Sequence, residues 1–333
     1  MTKSIASETP RRPPGEDLDP TLRAFVLDMS AAWAAHPPLA RVTPQEARRI
    51  AEVVRAPWAR GGPEMAEMTE RQLPIGGDNV RVRCYDPGPV GGTKPGLVFL
   101  HGGGWTVFSL DTHDRIMREY AHRSGMMVLG VDYAQAPEAR FPVALDQVEG
   151  VVRLLQRNGA ELAVDPRRVI VAGDSAGANL AVAACLRLRD SGAADVVRGM
   201  LLSYGVFSRE MSDQAQRRYG GVGYMLSSDD MEWFWENYLP DDVDPADPLV
   251  SPVNADLRGL PPAMLVVPEC DLLAEQSHHM AEGLQAAKVP TRLEVYASAC
   301  HSFLEAIGIS SIAETAFDDS VAWLRETVEA TAS

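Results

Sequence analysis

Residues 169–180 read VIVAGDSAGANL, an apolar run that stops at a cluster of small residues and gives way to a helix-like pattern. Strand, sharp turn, helix is the context a nucleophile elbow requires, and Gly173-Asp174-Ser175-Ala176-Gly177 carries its G-x-S-x-G spacing. So tight a turn brings the residues two before and two after the serine nearly into contact, which selects glycine, without a Cβ, at both places. Ser175 would stand at a helix N-terminus, where free N–H groups and the positive end of the dipole favour developing negative charge. The spacing alone arises by chance in about one chain in ten of this length. The flanking strand and helix patterns make it specific.

Outward from the elbow, strands at 97–100, 126–131, 169–172 and 199–203 alternate with helices at 112–123, 142–157 and 175–188, and strands at 263–267 and 292–296 precede an amphipathic helix at 315–328. The short apolar run at 97–100 is of the kind buried on both faces, and the alternation of strand and helix implies a doubly wound parallel sheet. Upstream, runs at 68–75 and 80–85 flank Gly76-Gly77-Asp78-Asn79, a hairpin signal that adds two antiparallel edge strands. The fold class expected is α/β, with a mostly parallel eight-stranded sheet in a single domain over 18–333. The polar, Pro-rich stretch 1–17 reads as a disordered tail. A helix over 18–36 and a second one opened by the capping box Thr43-Pro44-Gln45-Glu46 place Trp33, Ile50, Val53, Val54 and Trp58 on an apolar face with no local partner. Between 205 and 258 the alternation lapses into a segment whose short helix bears Met231, Trp233, Phe234 and Trp235. Segments 18–60 and 205–258 are therefore expected to form a helical cap.

Composition narrows the function. A net charge of −15 over 333 residues argues against nucleic acid and anionic membrane surfaces as partners. Cys84, Cys185, Cys270 and Cys300 are widely spaced, with neither zinc-ligand spacing nor a disulfide framework. No secretory signal or membrane-length apolar run is evident, so a cytoplasmic protein with four reduced thiols is expected. H-E-x-x-H and P-loop patterns are missing too, and no metal or cofactor is expected.

Directly after the strand at 97–100 stands His101-Gly102-Gly103-Gly104-Trp105. Three glycines at the carboxyl end of a parallel strand give no packing, so the bare backbone is what the site needs there: N–H groups of Gly103 and Gly104, with that of Ala176, read as an oxyanion hole. His101 reads as a brace for this loop. A serine nucleophile needs a base and an orienting acid. Of seven histidines, His301 follows the last strand, in the loop 297–303 above the same sheet edge as Ser175. Asp271 follows the strand at 263–267, with Glu269 as the competing acid. The order Ser175, Asp271, His301 is that of an α/β-hydrolase. Trp105, Phe108, Phe207 and Trp233 are expected to shape the substrate pocket. If Asp271 and His301 meet, their neighbours Cys270 and Cys300 also come close, as unlinked thiols.

These motifs together resemble the hormone-sensitive lipase family of α/β-hydrolases, also called bacterial esterase family IV. The resemblance rests on HGGGW at 101–105, GDSAG at 173–177, the VDY-x-x-APE-x-x-FP stretch at 131–142 and GLPP at 259–262. It implies a serine carboxylesterase for short- to medium-chain acyl esters, small-molecule ester substrates, and a monomer or homodimer. Asp271 and His301 match the family's D-P-L and H-G-F motifs, which here read Asp271-Leu272-Leu273 and His301-Ser302-Phe303; Ala134, Gln135 and Ala178 also depart from the usual pattern. Amide, carbamate or lactone hydrolysis, a lipase, and a non-catalytic binding protein are the alternatives on the same framework.

Overall fold

The computed structural model describes residues 15–89 and 92–330. Strands β1 (Glu67–Ile75) and β2 (Asp78–Asp86) form the hairpin, followed by β3 (Lys94–Leu100), β4 (Met127–Asp132), β5 (Val164–Asp174), β6 (Gly199–Ser203), β7 (Ala263–Cys270) and β8 (Thr291–Cys300). They make one eight-stranded sheet in the order β1-β2-β4-β3-β5-β6-β7-β8. β1 and β2 pair antiparallel, as do β2 and β4, and every later pairing is parallel. Consecutive residues of β4, β6 and β7 are buried, so both faces of the sheet are covered. Helices α3 (Asp114–Ser124) and α9 (Ser311–Glu329) pack on each other, as do α4 (Val143–Asn158) and α5 (Ala176–Asp190); α8 (Ala274–Ala286) joins β7 to β8.

Several expected boundaries shift, with β5 and β7 longer than their apolar runs, and two of the shifts stand out. The last strand does not stop at Tyr296: β8 continues to Cys300, which lies opposite Cys270 across an irregularity in the β7–β8 register. Ser298 has a φ of 56°, a local left-handed turn that reads as loop in the sequence but is absorbed by the strand. Both of those cysteines are unpaired and buried. Of the stretch expected to be a tail, 1–14 lies outside the described residues, while its end is held: Tyr224 Oη donates to Asp17 Oδ1 at 2.8 Å.

Helix α2 (Pro44–Ala59) begins where its cap signal puts it, while α1 (Pro20–Ala34) starts two residues later than expected, capped by Asp19. Thr43 Oγ1 accepts from the Glu46 N–H at 3.2 Å, but the capping box is half made, because the Glu46 carboxylate is engaged by Arg49 at 2.6 Å. Phe25 of α1 meets Trp58 of α2 edge to face at 4.6 Å, and Ile50 and Val54 are buried, whereas Val53, expected on the same face, is 50% exposed. α2 is fixed to the body by Arg48, whose Nε donates to Thr106 O at 2.9 Å and whose Nη2 donates to Ala136 O at 2.8 Å. The 205–258 segment folds as α6 (Asp213–Tyr219) and α7 (Ser228–Tyr238) with long connections; α7 opens with a complete capping box of Ser227 and Asp230.

Candidate active site

Ser175 follows β5 and precedes α5 with φ 52° and ψ −118°, a backbone state that side chains rarely adopt. Its N–H donates to Ser203 O on neighbouring β6 at 2.9 Å, which anchors the turn to the sheet. The two flanking glycines are demanded by space: a Cβ on Gly177 would stand 1.9 Å from Leu100 O, and one on Gly173 would stand 2.4 Å from the Gly177 carbonyl carbon. Asn179, one turn into α5, donates to Val206 O at 2.9 Å and Val250 O at 2.8 Å and so ties the elbow helix to the 205–258 segment.

β7 and β8 deliver the partners. Asp271 and His301 are the first residues beyond these strands, and both are buried. His301 Nδ1 lies 2.8 Å from Asp271 Oδ2, and the other Asp271 oxygen accepts from Leu273 N–H at 3.0 Å. A carboxylate can only accept, so Nδ1 carries the proton and Nε2 is left with a lone pair. That Nε2 is 3.1 Å from Ser175 Oγ. The arrangement can pass a proton from a hydroxyl to an imidazole whose tautomer is fixed. Glu269 faces away on β7, where it accepts from Ser298 N–H at 3.1 Å, and takes no part in this chain. Tyr204, unforeseen from the sequence, sets its ring edge-on to His301 at 4.9 Å; its only sequence signal is its place directly after a strand.

The glycine loop is held from beneath. Asp174 Oδ1 accepts from Gly102 N–H at 2.9 Å, and Oδ2 lies 3.4 Å from His113 Nε2. Burial opposes the charge of both partners, yet their mutual attraction prevails: the Asp174 carboxyl sits below its usual range and the His113 imidazole above. His101 stacks on Tyr133 at 4.5 Å, and its Nδ1 is 2.7 Å from Gly102 O. Burial, with His113 nearby, pushes its pKa down to about 4, so at neutral pH it is an uncharged brace. Gly103 and Gly104 have φ of 104° and 55°, and the Phe234 ring occupies the space a Cβ on Gly104 would need, at 2.0 Å. Among the described residues, the N–H groups of Gly103, Gly104 and Ala176 have no hydrogen-bond partner. Gln135, where the sequence departs from the family pattern, donates to Val107 O at 3.1 Å and Phe108 O at 2.8 Å and holds the far end of the loop.

Ser175, His301, Gly103 and Gly104 open onto a cavity of about 520 Å³, whose other walls come from α1, α2, the 37–40 connection, the 221–227 connection and α7. Phe108 and Trp233 line it; Trp105 and Phe207 do not. Trp105 is fully buried, stacked on Tyr238 at 4.1 Å and 5°, and fastens the glycine loop to α7. Phe207 folds back over Gly205 inside the core, its N–H given to Gln276 Oε1 at 2.9 Å. Of its other lining residues, Arg55, Met225 and Ser302 were not singled out from the sequence, whereas Trp33 and Phe234 belong to the apolar faces of the expected cap. For Phe234 the signal was present in the aromatic run, but the helical phase facing the glycine loop was not.

The parallel sheet, the elbow and the hydrogen-bonded serine, histidine and aspartate have the architecture of an α/β-hydrolase. The profile of the alpha/beta hydrolase fold family matches residues 97–305. Acetyl esterases of Salmonella paratyphi A and Salmonella dublin are each 34% identical over 265 residues, 79% of this chain and 80% of theirs. Among solved structures, an alpha/beta hydrolase from the Lake Arreo metagenome superposes with a TM-score of 0.87 at 30% identity, covering 93% of this chain and 98% of that one. The hyperthermophilic esterase of Pyrobaculum calidifontis gives 0.86 at 29% identity, covering 94% and 99%. The chain belongs to the α/β-hydrolase family, in its hormone-sensitive lipase, or bacterial esterase family IV, branch. Among the described residues no helix is long and apolar enough to cross a membrane.

Proposed function

We propose that the chain is a serine carboxylesterase in which Ser175, His301 and Asp271 hydrolyse short- to medium-chain acyl esters beneath a cap made by 18–60 and 205–258. The observation that carries this reading is the unbroken run from Ser175 Oγ through His301 to Asp271, at 3.1 and 2.8 Å, on the wall of a largely apolar cavity. Ser175 Oγ attacks the ester carbonyl carbon while His301 Nε2 takes its proton, and the carbonyl π electrons move onto oxygen. Gly103, Gly104 and Ala176 offer free N–H groups for that oxyanion, each such donor typically worth about 100- to 1000-fold in rate. Collapse of the tetrahedral adduct breaks the bond to the alcohol oxygen, which leaves with the proton from His301. Water, deprotonated by the same imidazole, then attacks the acyl-enzyme and releases the acid and free serine. The acetyl esterase relatives, and a cavity in the lower half of the ligand-pocket range, favour a short acyl group. Four unpaired cysteines suit a reducing compartment such as the cytoplasm.

The test is hydrolysis of p-nitrophenyl esters from acetate to palmitate by the wild type and by Ser175→Ala. Activity peaking at short or medium chains and lowered on the order of 10⁴-fold or more by the substitution is expected. Undiminished turnover in Ser175→Ala would overturn the assignment of the nucleophile; inactivity of the folded wild type on every ester would overturn the substrate class.

A further inference from the structure

Two polar side chains on the cavity wall have donors to spare. Arg55 of α2 is 5% exposed, and among the described residues its one hydrogen bond goes from Nη1 to Glu305, on the short helical turn Phe303–Ala306 that follows His301. Its Nε is buried without a partner, and its guanidinium carbon lies 4.5 Å over the ring of Phe108, at the end of the glycine loop. A guanidinium has five N–H donors, so most of this one's capacity is unused in a site where an unmatched polar group is costly. Ser302, also 5% exposed, borders the same cavity beside His301, and its hydroxyl makes no hydrogen bond to any described residue. It is held at φ 58° and ψ 18°, a left-handed conformation that glycine fills with less strain, so nothing in the backbone calls for a side chain there. Leu39, Val107, Met225, Leu226, Trp233 and Phe234 line the same cavity, and their side chains offer no acceptor.

Resting on the esterase reading, we infer that Arg55 and Ser302 form a subsite for a second, uncharged acceptor oxygen on the substrate, so that esters carrying an additional carbonyl are preferred over plain alkyl esters. The charge balance selects the class. Glu305 already neutralises Arg55, so a substrate carboxylate finds no uncompensated cation there, and the exposed carboxylates of Asp229 and Asp230 at the cavity border add repulsion. A ketone or ester carbonyl can accept from the Arg55 guanidinium edge that Glu305 leaves unused and from the Ser302 O–H without bringing charge.

The experiment compares kcat/KM for ethyl 4-oxopentanoate with ethyl pentanoate, and for ethyl 5-oxohexanoate with ethyl hexanoate, and adds monoethyl succinate as the anionic probe. Both esters of a pair use the same triad, so their ratio reports the subsite. The wild type is expected to favour at least one oxo ester, with a ratio about tenfold above that of the double variant Arg55→Met, Glu305→Gln, the size of one hydrogen bond from a charged donor. Removing both partners avoids leaving a buried charge alone. Ser302→Gly, whose backbone conformation glycine accepts readily, is expected to lower the ratio about threefold and serves if the double variant does not fold. An unchanged ratio in either folded variant, or a wild type that prefers monoethyl succinate, overturns the subsite. p-Nitrophenyl acetate is run alongside: turnover of that ester with no oxo preference refutes this inference alone, whereas loss of all ester turnover refutes the esterase reading beneath it.

Discussion

Ser175, Asp271 and His301 each stand one residue beyond a strand of the same parallel sheet, whereas Trp33, Met225 and Trp233, on the facing walls of the cavity, ride on helices and connections outside it. On the sheet side the polar atoms that place the reacting groups are matched: both Asp271 oxygens are used, Asp174 holds Gly102 and His113, and the serine N–H is fixed to β6. On the facing side, aromatic and aliphatic surface predominates. The difference assigns two tasks. In the proposed mechanism, groups that must meet within a few tenths of an ångström are placed by a ladder whose register side chains cannot shift, while the shape of the substrate is read by segments that can vary without disturbing it.

The sharpest break of this comparison lies between two acids only two residues apart. Asp271→Asn should lower kcat by about 1000-fold or more, because an amide can present its own N–H to Nδ1 and favour the wrong tautomer. Glu269→Gln, at the exposed penultimate position of β7, should leave kcat within about twofold. Comparable losses in both variants would mean that the acid is shared and that the hydrogen bond at 2.8 Å is not the working contact.

The next effect is on stability and lies at the seam. Trp105 is the one aromatic of the glycine loop that leaves the cavity for the core, where it stacks on Tyr238 of α7. Trp105→Ala should cost about 3–5 kcal/mol, the usual penalty for emptying a large buried site. Urea unfolding measures it, and a cost below about 1 kcal/mol would show that the loop and α7 are not packed as one unit.

Beneath the loop, a pH effect follows from His101. Its folded pKa of about 4 is below the usual value for a histidine, so the neutral form is the one that fits. The sign is therefore that stability is intact above pH 6.5 and is lost as the pH falls toward 4, by about 3 kcal/mol. His113, raised by Asp174, acts in the opposite sense: its contribution is present below pH 6.5 and declines as the pH rises through its folded value. Unfolding free energies of wild type and His101→Phe at pH 4, 5.5 and 7 should show the acid-side slope reduced in the variant; parallel profiles would assign the slope to other groups.

The same division decides what could be read from sequence. Around the sheet, local signals and chemistry coincide: an apolar strand, a turn that only glycine permits, and a reactive side chain directly afterwards, so Ser175, Gly103, Gly104, Asp271 and His301 could all be singled out and Glu269 set second. The facing walls carry no such coincidence. Trp105, Phe108, Phe207 and Trp233 look alike in sequence, since each is an aromatic near an expected loop or cap, and only packing sends two to the cavity and two to the core. Arg55 and Glu305 are 250 positions apart, and neither has a local pattern that names the other. The end of β8 was misplaced for a related reason: Ala297 to Cys300 is short and polar enough to read as loop, and only pairing with β7 makes it strand.

Substrate preference is where the facing wall should show itself most cleanly, and with the smallest energies. Trp233 is half-buried, borders the cavity and lies 5.2 Å from Phe234, the ring that covers Gly104. Removing its indole enlarges the cavity without touching the triad or the glycine loop, so Trp233→Ala should move the preferred p-nitrophenyl ester toward longer acyl chains, raising kcat/KM for the longer chain relative to acetate by about tenfold, the worth of one or two added methylenes in an apolar site. Phe207→Ala empties a smaller volume and does so inside the core; it should lower stability and leave the chain-length profile where it was. If the Phe207 variant shifted the profile and the Trp233 variant did not, the acyl group would be running toward the core side, and the wall that reads the substrate would have to be sought beneath the sheet edge and not in α7.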